Sequence, residues 1–156
     1  MANVAYTTGL LRLIQQGWAT QDVRGLLIED GYVPDPDHAS LDDLSLETTE
    51  LVATNYERLV VSALAESADD ALDAVLLDGG DLLWASLGEP DGPTVSGLVL
   101  YFHVDGTDAN DVPLFFLDNA GAEDPGYRLP RQTNGGDFAI TWNTVGIATL
   151  TLGEPT

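Results

Sequence analysis

His38 and His103 are the two side chains of this 156-residue chain that ordinarily titrate near neutrality, and they lie far apart. His38 sits in an Asp/Pro loop and His103 on the outward face of a predicted strand, so both read as solvated residues. With no Cys, thiol nucleophiles, disulfides and thiolate metal sites are excluded. No Gly-x-Ser-x-Gly elbow occurs, and no glycine-rich phosphate loop follows a strand. The 26 Asp and Glu are so abundant that a pair at glycosidase spacing carries no information. One cluster stands out. Asp105, Asp108, Asn110 and Asp111 place hard oxygen ligands in one short stretch that could hold Ca²⁺ or Na⁺. The spacing departs from that of an EF-hand, and Asp, Asn and Gly are also what any hairpin loop prefers. Three tryptophans could build a sugar-stacking platform, but Trp142 is in phase with Phe138 and Ile140, and Trp84 lies mid-strand. Both read as core. Trp18, after Gly17, reads as a cover for a helix end. These residues predict no catalytic centre, and Ca²⁺ at the 105–111 loop is the one cofactor they suit.

The charge balance narrows the partners. Five basic residues, all Arg, against 26 acidic ones give a net charge of −21. Phosphate neutralisation needs clustered Lys and Arg, so nucleic acid and anionic membrane surfaces are excluded as partners. Self-repulsion at this charge strains a compact fold in dilute buffer and fades in molar salt, where the Debye length is about 3 Å. Depletion of both Lys and Arg favours adaptation to high salt, although an ordinary acidic protein can share the composition. Apolar residues make up 44%, enough for a core in a chain this long. No apolar run is long enough to span a membrane, and no basic n-region precedes an apolar h-region.

The elements that must position these residues follow from periodicity. Leu10, Leu11, Leu13 and Ile14 predict a short amphipathic helix over 7–16, ended by Gly17. Residues 23–29 read as a strand. Residues 30–43 read as a surface loop with one helical turn over Ser40–Leu44, capped by Ser40. From residue 56 the pattern is β: strands at 56–64, 71–77, 81–87, 95–104, 112–117, around 138–142 and at 147–152. Asp78-Gly79-Gly80 predicts a hairpin turn, and Pro113 suits an edge or strand-entry position. Residues 119–135 read as a long loop. About eight short strands after one helix predict a mainly β chain. The expected fold is an antiparallel β-sandwich, Ig-like or jelly-roll-like, in a single domain over 1–156 with a helical arm at 1–20 and the sandwich at 21–152.

The order of segments carries a resemblance. It runs through Tyr32, Pro34, Asp35, Asp37 and His38, then Leu41-Asp42-Asp43-Leu44, Tyr56-Glu57-Arg58, and Asp81-Leu82-Leu83-Trp84. It continues with Val99-Leu100-Tyr101, Asp105-Gly106-Thr107 and Pro113-Leu114-Phe115-Phe116. Its most specific part is the close: Asn134-Gly135-Gly136-Asp137-Phe138, Ile140, Trp142, Gly146-Ile147 and Thr149-Leu150. Over most of residues 21–152 this resembles a family of small structural proteins of tailed bacterial and archaeal viruses. The resemblance departs at two places: the strand Leu98–Val104 lacks the Lys or Arg common in the family, and the 119–135 loop differs.

The resemblance implies a non-enzymatic virion component, assembled in the host cytoplasm. A capsid decoration (cement) protein of a virus with a halophilic host fits best. The alternative is a tail- or fibre-associated module binding a receptor carbohydrate or Ca²⁺. The implied partners are other virion proteins, such as the major capsid protein, and further copies of the chain. Leu10, Ile14 and Trp18 of the helix, the 30–44 loop, and Tyr127, Arg128 and Arg131 of the long loop are the candidate contacts.

Overall fold

The computed structural model describes residues 3–118 and 128–151. Among them the chain is mainly β, with antiparallel sheets in a sandwich-like arrangement and one short N-terminal helix. The main sheet is built from β1 (Val4–Ala5), β2 (Val23–Glu29), β3 (Leu59–Val60), β7 (Thr94–Phe102) and β8 (Val112–Leu117). Its order is β1-β8-β7-β2-β3, and β9 (Arg131–Gln132) also pairs with β7. Two smaller sheets complete the β structure. One joins β6 (Leu82–Trp84) to β10 (Phe138–Ile140), and the other runs β11 (Ala148–Thr151), β5 (Ala74–Asp78), β4 (Ala65–Asp69).

β2 and β7 carry unbroken apolar, buried runs, Leu26–Ile28 and Leu98–Phe102, because both faces of their sheet are covered. On one face Val23, Leu27, Leu98, Leu100 and Phe102 pack with Trp18, Trp84, Phe138, Ile140 and Trp142 of the helix corner and the small-sheet layer. On the other, Leu26, Ile28, Val99, Tyr101 and Phe116 pack beneath Tyr32, Leu41, Leu44 and Leu46. The segment expected as a surface loop is therefore a lid on the second face. Its helical turn is where the sequence places it: a 3-10 turn at Leu41–Leu44 with a reciprocal Ser40–Asp43 capping box, followed by α2 (Leu46–Thr49).

α1 (Thr7–Gln16) has the predicted bounds and ends at Gly17 in a left-handed φ of 80°. It lies against β8 so closely that a Cβ at Gly9 would overlap the Pro113 carbonyl oxygen. The segment before α1 joins the sheet, since Val4 and Ala5 pair with Phe116 and Phe115 at its edge. Pro113 is tolerated at the entry of β8, beyond the reach of β1 and beside a register shift at Leu100/Tyr101.

Two further sequence expectations fail. Asp78-Gly79-Gly80 is not a hairpin: β5 and β6 belong to different sheets. Neither glycine has a positive φ; both are there for close approach. A Cβ would come within 2.7 Å of Val61 Cγ1 at Gly79 and 2.5 Å of Ser62 Oγ at Gly80. The strand expected over 56–64 shrinks to β3, bracketed by Asn55 and Ala63 at φ of 61° and 50°, and the exposed β4 follows it. Beyond β3, the edge of β2 is sealed piecemeal: Leu51 N–H donates to Leu27 O, and Leu27 N–H donates to the Tyr56 hydroxyl. Among the described residues no helix is long and apolar enough to cross a membrane.

Candidate functional site

The richest polar cluster lies where the β7–β8 connection meets the lid, and it contains all four predicted metal ligands. The carboxylates of the three aspartates are already engaged. Asp111 is fully buried. One of its carboxylate oxygens accepts the N–H groups of Val104 and Asp105 at 2.7 and 3.3 Å, and the other faces His103 Nδ1 at 3.1 Å. Asp105 accepts from Thr107 N–H at 2.9 Å and from the Asn110 amide at 2.7 Å. Those two bonds hold its carboxyl below the usual carboxylate range. Asp108 turns away to meet Arg58. Among the described residues no three His, Asp or Glu side chains are grouped to hold a metal ion.

Arg58 is the centre of this cluster. Its Nε and Nη2 form a fork on Glu50 at 2.8 and 2.7 Å, and Nη1 reaches Asp108 at 2.7 Å. Its guanidinium also lies over the Tyr101 ring, 5.8 Å from the centroid. Hydrogen bonding to Glu50, then to Asp108, drives its pKa further above the usual arginine range. Tyr56 donates to Glu50 at 2.7 Å, and burial, with the nearby Glu50 charge, pushes its hydroxyl pKa up. The loop also holds the lid, because Leu41 N–H donates to Asp111 O and Asp42 N–H to Asp108 O. Chemically the arrangement is a clamp that joins the 105–111 loop, the lid and the strand-edge segment 50–58.

His38 is likewise partnered. Its Nδ1 lies 3.1 Å from the Tyr32 hydroxyl, which sits 2.6 Å from the hydroxyl of fully buried Tyr6. Burial, reinforced by the bond to Tyr32, raises the Tyr6 pKa. Neither histidine is the solvated residue that the sequence suggests. Lone histidines carry no spacing signal, and their partners come from segments that only the tertiary fold brings together.

The predicted contact residues scatter. Ile14 is 80% exposed on the outer face of α1, and Leu10 is half-buried against the core. Trp18 is fully buried, its indole N–H donating to Asp78 O at 2.8 Å, so it is a core residue and not a surface contact. Trp84 and Trp142 are 2% and 7% exposed, so no tryptophan offers an open platform. Arg128 is exposed. Arg131 is half-buried, stacked 3.7 Å from the Phe138 ring centroid and donating to Ala139 O. Tyr127 lies outside the described residues. Compared with known proteins, the chain matches no family model, no curated protein and no solved structure.

Proposed function

We propose that this chain is a non-enzymatic structural protein of a tailed virus, a capsid decoration protein of a virus with a halophilic host that acts by adhesion to neighbouring subunits. The observation that carries the reading is the use made of the polar residues. Arg58, Glu50, Asp108, Asp111 and His103 are spent on one another and on backbone groups, where they fasten loops to a sheet packed on both faces. Such a module presents fixed loops and an exposed helix face, including Leu11 and Ile14, to a partner. The order of segments in the sequence supplies the virion context. Mass spectrometry of purified particles and a particle reconstruction test it. Many copies distributed over the shell are expected; a particle without the protein, or catalytic turnover lost on substituting one Asp or His, overturns it.

A further inference from the structure

We propose that the free edge of β11 is a self-pairing surface, on which a second copy of this chain lays its own β11 antiparallel and joins two three-stranded sheets into one of six strands. Among the described residues β11 pairs only with β5, from Ala148↔Leu77 to Thr151↔Ala74, so no described strand takes up the polar backbone groups along its other side. The two edges of this sheet differ in character. β4 carries Glu66 and Asp69, and charge along an edge is the usual guard against strand addition. β11 reads Ala148-Thr149-Leu150-Thr151, without a charge or a proline in a chain of net charge −21.

The charge argument selects the occupant. Two copies of so acidic a chain repel almost everywhere and meet at least cost along a stretch that carries no carboxylate. A neutral strand of small, β-branched and apolar residues is also its own complement about a two-fold axis. An apolar row adds area beside the edge. Val75 lies two residues from core Leu77, on the same face, and is 44% exposed. Its cross-strand neighbours are half-buried Leu150 and exposed Ala68.

The inference deepens the adhesive reading by naming one surface and its partner. Sedimentation equilibrium of the full chain in molar KCl tests it, with a dimer expected that weakens as salt is withdrawn. Thr149→Glu with Thr151→Glu, both at exposed positions, abolishes that dimer while the circular dichroism spectrum stays unchanged; Ser67→Glu on β4 leaves it intact. Because the chain has no Cys, Thr149→Cys treated with a short bismaleimide gives a covalent dimer, and Ser67→Cys does not. A protein monomeric in molar salt, or a dimer indifferent to the β11 charges, overturns the inference. Particles rich in a protein that is monomeric in solution remove the edge pairing and leave the virion reading standing; a β11-dependent dimer missing from particles does the reverse.

Discussion

The buried carboxylate of Asp111 accepts the Val104 N–H at 2.7 Å, seven residues back along the chain, and so closes the β7–β8 connection on itself. Asp111→Ala leaves two backbone donors and the His103 ring, all part-buried, without the buried carboxylate that accepts from them. An orphaned buried donor costs about 1–3 kcal/mol, so the variant is expected to lose about 2–4 kcal/mol in urea unfolding. Asp111→Asn, which keeps one acceptor oxygen, is expected to lose less. Equal losses from the two substitutions contradict this account.

Arg58 joins two carboxylates from different segments, with side-chain exposures of 25% for Arg58, 16% for Glu50 and 33% for Asp108. Half-exposed ion pairs are worth about 0.2–1 kcal/mol each, and the fork on Glu50 is the stronger geometry here. Arg58→Met is expected to lower stability by about 1–2 kcal/mol, and hydrogen exchange should rise in both the 40–44 turn and the 105–111 loop. Faster exchange in only one of them shows that the clamp does not couple the two.

Asp43 accepts the N–H groups of Ala39 and Ser40 at 2.8 and 3.0 Å, and those bonds lower its pKa. A carboxyl whose folded pKa is depressed contributes stability above its unfolded value, about 4, and loses it as pH falls towards the folded value. Asp22, paired with Arg24, follows the same sign. Asp43→Asn is therefore expected to flatten the decline in melting temperature below about pH 4, measured in molar salt so that relief of general repulsion does not mask it. An unchanged acid limb removes Asp43 from this role.

Close contact between α1 and β8 leaves Gly9 without room for a side chain. Gly9→Ala would normally favour a helix by about 1 kcal/mol, but here the methyl group meets the Pro113 carbonyl. Overpacking costs about 1–3 kcal/mol, so net destabilisation is expected in thermal melts. A gain in melting temperature contradicts the packing described.

What was legible in the sequence follows from how local each signal is. Leu10, Leu13 and Gly17 set out α1, and Ser40 with Asp43 set out the capped turn, because those signals act within a few residues. The two-sided burial of β7 was not legible. Strict alternation assigns Tyr101 and His103 to solvent, whereas Tyr101 is 1% exposed under the lid. The Asp105–Asp111 cluster was visible as composition, yet its use was not, since Arg58 lies 50 residues from Asp108. The glycines at 79 and 80 misled for a related reason: a close crossing and a turn call for the same residue type.

The pairing of β2 sets the timetable of folding. Its long neighbour runs from Val23↔Phe102 to Glu29↔Val95, while β3 meets only Arg24 and Gly25. A nascent chain released from the ribosome as far as residue 93 therefore holds Leu26, Leu27 and Ile28 without the strand that flanks them. The edge pair Val4↔Phe116 closes later still. Closure over such sequence distances is slow, and the early segment stays sticky while it waits. The chain's 26 carboxylates keep unfinished copies hydrated and soluble through that interval.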